Sequence, residues 1–217
     1  MILRRAPDSF CLYVLAHGAG AGMRHPFLEA LADALAAQGV ATLRYEFPYM
    51  EHGKRRIDPP PVLHARVREA VQAAALEGLP LFAGGKSMGG RMTSQAQSRE
   101  GLAGVRGLAF VGFPLHPAGQ PGTQRAAHLS DVRLPMLFLQ GTRDELADLA
   151  LLRPVVEALP QATLQVVEDA DHSFHVRKKS GRNDSEVLEE LSRTFAEWAQ
   201  RTIGDSSSRS SRSAGSR

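Results

Sequence analysis

The sequence predicts a three-layer α/β fold, a mostly parallel sheet of about six strands with helices on both faces. Short apolar runs alternate with amphipathic segments along the chain, the order that a parallel sheet with crossover helices requires. Each run is bounded by Gly, Pro or Asp and is rich in the residues of buried strands. The 217 residues, 43% of them hydrophobic, suffice to bury one core.

The predicted strands, in order, are SFCLYVLA (9–16), VATLRYEF (40–47), LPLFAG (79–84), VRGLAFVGF (105–113), PMLFLQ (135–140) and ATLQVVE (162–168). Between the first two, Leu28, Leu31 and Leu35 recur at helical spacing. Leu63, Val67, Ala70, Val71 and Ala74 do the same before the third. A last helix, near 184–201, sets Leu188, Leu191, Phe195 and Trp198 along one stripe after an Asn-Asp-Ser start that can cap it. Residues 1–203 read as one domain. Residues 204–217, rich in Ser and Arg, carry no large apolar side chain and read as a disordered tail.

The formal charge is +3, and residues 201–217 account for it with Arg201, Arg209, Arg212 and Arg217 against Asp205. The body is therefore close to neutral, which argues against a nucleic-acid partner. Cys11 is the single cysteine, so neither an internal disulfide nor a cysteine-built zinc site is expected, and a reducing compartment fits. The early apolar run is short and broken by His-Gly, and no run approaches the ~20 residues of a membrane span. These features predict a cytoplasmic protein with no membrane partner; a homo-oligomer is not indicated.

AGGKSMGGRM (83–92) admits two chemistries. A phosphate loop requires a glycine, four intervening residues and then Gly-Lys-Ser/Thr, but Pro80 stands at the first glycine position and Leu81, Phe82 and Ala83 belong to the strand. Gly85-Lys86-Ser87-Met88-Gly89 instead satisfies Gly-x-Ser-x-Gly between a strand and a helix-compatible stretch, with Ser87 as the nucleophile on a tight turn. The glycines relieve crowding, because a Cβ on either flank would meet the neighbouring strand or helix.

A serine hydroxyl needs a histidine base, and the histidine needs a carboxylate to hold its tautomer. Asp144 follows the fifth strand in LQGTRDE, with Glu145 and Asp148 as competitors. His172 follows the sixth in VVEDADHSF, with His175 as its rival. Both sites fall at the carboxyl edge of the sheet, where open α/β folds bind ligands. LAHGAGAG after the first strand offers an oxyanion loop, the Ala19 amide joining that of Met88, with His17 as a brace. It does not fit Gly-x-Gly-x-x-Gly, since Met23 occupies the last glycine position. Phe47, Tyr49 and Met50 are expected at the entrance as substrate contacts, and His25 beside the oxyanion loop. Lys86 and Arg91 are charges near the nucleophile that attract an anionic substrate or pair with local acids. His116 and His128 show no ligand spacing, so neither metal nor cofactor is assigned.

With HGAGAGM, RYEFPYME, GGKSMGGRM, QGTRDE and DADHSF in this order, the chain resembles the α/β-hydrolase superfamily. It resembles in particular the compact group that includes bacterial hydrolases, a testis-expressed protein and a subunit of the nonspecific-lethal acetyltransferase complex. That resemblance implies Ser87 as nucleophile, Asp144 as acid, His172 as base and a minimal α/β-hydrolase fold. The leading antiparallel strands of larger members are expected to be missing, and the segment 114–134 is too short for a large lid, which excludes an extensive lipase groove. Dienelactone hydrolases are similar in size but use a cysteine nucleophile, whereas Cys11 falls within a strand. The resulting expectation is a serine hydrolase acting on a small or medium ester or thioester, a small-molecule acyl substrate. The alternative is a catalytically weak hydrolase-fold binding or scaffold module.

Overall fold

The computed structural model describes the backbone of residues 1–214 and side-chain surroundings through Asp205. Seven strands form one sheet: β1 (Ile2–Arg4), β2 (Cys11–Ala16), β3 (Val40–Tyr45), β4 (Leu81–Lys86), β5 (Val105–Val111), β6 (Met136–Gly141) and β7 (Ala162–Val167). Their spatial order is β1-β3-β2-β4-β5-β6-β7. All neighbours pair in parallel except β1, which lies antiparallel on β3 with Leu3 opposite Leu43.

The two faces follow from the period-two alternation of strand side chains. On β2, Leu12, Val14 and Ala16 enter a core shared with α3 (Pro60–Ala75), α4 (Met88–Glu100) and α5 (Leu149–Glu157). Cys11, Tyr13 and Leu15 enter the opposite core, against α1 (Pro26–Ala37) and α6 (Asp184–Ala214). The predicted stripe of Leu191, Phe195 and Trp198 is buried there, with the Phe82 ring 5.2 Å from that of Trp198. A short α2 (Pro48–Glu51) follows β3.

The strand ends fall within two residues of the sequence reading, and two larger features differ from it. A leading antiparallel strand is present: β1 is too short to show periodicity and exists by pairing with β3, backed by the Arg4–Asp33 ion pair at 3.0 Å. The last helix passes its predicted end near 201 and continues to Ala214. Its apolar stripe stops at Ile203, on the edge of the core, but no proline follows to break the backbone ladder, so the predicted tail boundary at 204 falls inside α6. Residues 215–217 of that tail lie outside the described residues. Between β5 and β6 no lid rises. Phe113, Leu115, Ala126 and Leu129 pack into the core, and residues Gln124–Asp131 form a 3₁₀ turn.

Because β2 to β7 run parallel, their carboxyl ends gather at one edge. Residues 17–22, 46–47, 87, 112, 144 and 172 all leave the sheet there.

Candidate active site

Ser87 occupies the turn between β4 and α4 with φ 50° and ψ −119°, a conformation that costs a residue with a side chain on the order of 1–3 kcal/mol. Neighbouring backbone holds it there. A Cβ on Gly85 would lie 2.4 Å from the Ala16 carbonyl oxygen, and one on Gly89 would lie 2.5 Å from that of His17. Glycine at both positions lets the elbow press against the end of β2.

The imidazole of His172 reaches this turn from the loop after β7, its Nε2 2.9 Å from Ser87 Oγ. Its Nδ1 lies 2.8 Å from Asp144 Oδ2. A carboxylate can only accept, so Nδ1 carries the proton and Nε2 is left to accept from the serine hydroxyl. The Asp144 side chain is fully buried. It accepts further bonds from Gln140 Nε2 at 2.5 Å and from the Leu146 amide at 2.9 Å. The competing residues are engaged elsewhere: Glu145 is exposed, Asp148 caps α5 by accepting from the Ala150 amide, and His175 pairs with Asp184 at 2.9 Å on the surface. Thus Ser87, His172 and Asp144, widely separated in the chain, form one continuous hydrogen-bonded line.

Met88 is the first residue of α4, where backbone amides lack partners within the helix. Across from it, Gly18 approaches so closely that a Cβ there would lie 3.7 Å from that of Ser87. In the same loop the Gly20 amide donates to the Tyr49 hydroxyl at 3.0 Å and the Ala21 amide to the Gly18 carbonyl. The exposed Ala19 lines the cavity that also contains Ser87 and His172.

His17 is fully buried and holds this loop to the end of β3. Its Nε2 accepts from the Phe47 amide at 3.1 Å, so Nδ1 donates to the Gly18 carbonyl at 2.7 Å. Burial pushes its pKa down, with the Gly18 bond and Glu46 opposing the shift, consistent with a neutral ring using both nitrogens.

The expected entrance residues are placed differently. Phe47 and Tyr49 are buried and brace the Gly18–Ala21 loop from behind. Both stand where the chain turns back into the core, so their apolar bodies pack inward and their polar atoms serve the loop. Met50 is half-buried beside an adjoining cavity of about 590 Å³ with Met23, Arg24 and Glu46. His25 is exposed, lines both cavities, and caps α1 by accepting from the Phe27 amide at 3.3 Å. The cavity over Ser87 has a volume of about 350 Å³, with Ala19, Phe27, Leu28 and Leu146 among its walls.

A family model described as an alpha/beta hydrolase domain matches residues 10–200. The chain belongs to the alpha/beta hydrolase family. Its fold is similar to that of a dienelactone hydrolase from Anabaena variabilis, at 20% identity and a TM-score of 0.71 over 92% of this chain and 89% of that one. It is also similar to an α/β serine hydrolase without lid from Xanthomonas campestris, at 22% identity and a TM-score of 0.65 over 91% and 85% of the two chains. A third likeness is Est1E from Butyrivibrio proteoclasticus, solved with ferulic acid bound, at 16% identity and a TM-score of 0.65 over 88% and 92%.

Several residues of this alpha/beta hydrolase site carry no sequence signal of their role. Gln140 reads as the end of a strand, yet it orients Asp144. His116, buried beside the acid loop, accepts from the Asp148 amide at 3.0 Å through Nε2. Gln140 stands within the QGTRDE motif, but its side-chain bond to Asp144 forms only through the turn that follows β6. Among the described residues no three His, Cys, Asp or Glu side chains come together as metal ligands, and no helix is long and apolar enough to cross a membrane.

Proposed function

We propose that the chain is a serine hydrolase that cleaves a small or medium carboxylic ester or thioester through an acyl-enzyme intermediate. One observation carries this reading: the unbroken Ser87–His172–Asp144 hydrogen-bonded line, ending in a serine held at positive φ beside an open cavity. Ser87 Oγ attacks the carbonyl carbon while His172 Nε2 takes the hydroxyl proton, and Asp144 offsets the charge that develops on the imidazole. The carbonyl oxygen becomes anionic and receives the amides of Met88 and Ala19. His172 then gives its proton to the leaving alcohol or thiol. Water, activated by the same imidazole, releases the acid and restores Ser87.

The cavity volume and the packed segment between β5 and β6 support a compact substrate, in keeping with a near-neutral, cytoplasmic protein that works without a cofactor. The Xanthomonas structure described as a lidless serine hydrolase supports the same reading.

A fluorophosphonate probe tests it. We expect stoichiometric labelling of the wild type, abolished in Ser87→Ala with unchanged circular dichroism. A folded wild-type chain that stays unlabelled would instead favour the binding or scaffold module. A chain-length series of p-nitrophenyl esters then defines the acyl preference.

A further inference from the structure

Lys86 is absorbed by none of these steps, although it immediately precedes the nucleophile. It is only partly exposed, and its Nζ turns inward to donate to the His172 backbone carbonyl at 2.6 Å. The same ammonium lies 5.6 Å from the centre of the Phe174 ring. A Cβ built on Gly112 would lie 3.1 Å from Lys86 Nζ, 3.4 Å from Asp144 Oδ2 and 3.5 Å from His172 Nδ1. The cation, the carboxylate and the imidazole therefore converge on one backbone position at the end of β5, where φ of 69° favours glycine and a Cβ would crowd the ammonium.

Resting on the serine-hydrolase reading above, we propose that Lys86 is a positioning residue: its ammonium ties the His172 loop to the nucleophile elbow. The bond to the His172 carbonyl joins the residue before the nucleophile to the base itself, so elbow and base loop move as a unit.

The charged groups that face this point are Asp144 from the loop after β6 and Asp171 and His172 from the loop after β7, with His25 at the mouth of the shared cavity. Burial pushes Lys86 down to about 8, against the opposing pull of Asp144 and Asp171, so the ammonium persists through neutral pH.

Lys86→Gln keeps a donor toward the His172 carbonyl without the charge, and Lys86→Met removes both. The readout is the plateau rate of fluorophosphonate labelling, which needs no knowledge of the substrate. That rate should fall roughly tenfold in Lys86→Met and less than about threefold in Lys86→Gln. With p-nitrophenyl acetate as probe, the loss should fall in kcat, with KM within about twofold. A folded Lys86→Met that labels within about threefold of wild type overturns the inference; if that variant does not fold, a folded Lys86→Gln slowed about tenfold or more overturns it. Wild type labelled at Ser87 with either of those results sinks this inference alone, whereas unlabelled wild type sinks the hydrolase reading and this inference with it.

Discussion

Asp144→Asn isolates the carboxylate with almost no change of shape. The native side chain accepts from three donors: His172 Nδ1 at 2.8 Å, Gln140 Nε2 at 2.5 Å and the Leu146 amide at 2.9 Å. An asparagine has one carbonyl oxygen and one NH₂ group for these positions. If the oxygen stays with Leu146, the NH₂ group faces His172 and Gln140. Imidazole Nδ1 must then accept, Nε2 becomes the protonated nitrogen, and it offers Ser87 a proton in place of taking one. If the oxygen turns to His172, the Leu146 amide is left facing a donor in a buried site, at a cost of about 1–3 kcal/mol. The first arrangement disables the base, and the second misplaces the acid loop and still lacks the negative charge that stabilises imidazolium. We therefore expect loss of roughly 10³–10⁴ in kcat/KM, or about 4–5.5 kcal/mol of transition-state stabilisation. The assay is p-nitrophenyl acetate hydrolysis alongside fluorophosphonate labelling, with circular dichroism to establish folding. A folded variant within tenfold of wild type would refute the assignment of Asp144 as the orienting acid.

Gly89→Ala places a methyl group 2.5 Å from the His17 carbonyl oxygen and 2.7 Å from the Ala16 Cβ, both on the rigid end of β2. The expected cost is about 3 kcal/mol, a fall in Tm of roughly 6–12 °C, and a thermal melt matching wild type would contradict the packing described for the elbow. Tyr49→Phe removes the hydroxyl that accepts from the Gly20 amide; stability should drop by about 1 kcal/mol and labelling should slow several-fold, while an unaltered rate would deny the proposed oxyanion role of the loop that Tyr49 holds. Hydrogen bonding to Arg177 holds Asp169 down to about 2, below its unfolded value of about 3.9. Its stabilisation is thus complete above about pH 4 and lost as pH falls toward 2. Tm measured across that window should decline more steeply in wild type than in Asp169→Asn, and parallel curves would deny the pair any role in anchoring the loop that carries His172.

The order of strands and helices, the serine elbow, and the carboxylate and histidine that follow later strands were legible because each is written in a short window. Leu12, Tyr13 and Val14 declare a strand buried on both faces whatever lies beside it, and Gly85 and Gly89 bracket Ser87 within five residues. Phe47 and Tyr49, which the sequence places at the entrance, are buried, and the reason is the opposite one. An aromatic after a strand end reads the same whether it faces solvent or core, and only the approach of the Gly18–Ala21 loop decides that they brace it. β1 escaped notice because three residues carry no period and its partner lies some forty residues away.

The sequence by itself determined the layered α/β architecture and the chemical inventory, since strand alternation, helical stripes and the glycine spacing around Ser87 are local steric and hydrophobic requirements. Only the tertiary structure decided which acid and which histidine line up with the serine, that Gln140 orients Asp144, and that the Lys86 ammonium turns inward to the His172 carbonyl. Those outcomes depend on distances between residues up to 86 positions apart, which are set by how parallel strands bring their carboxyl ends to one edge and not by any pattern within a single segment.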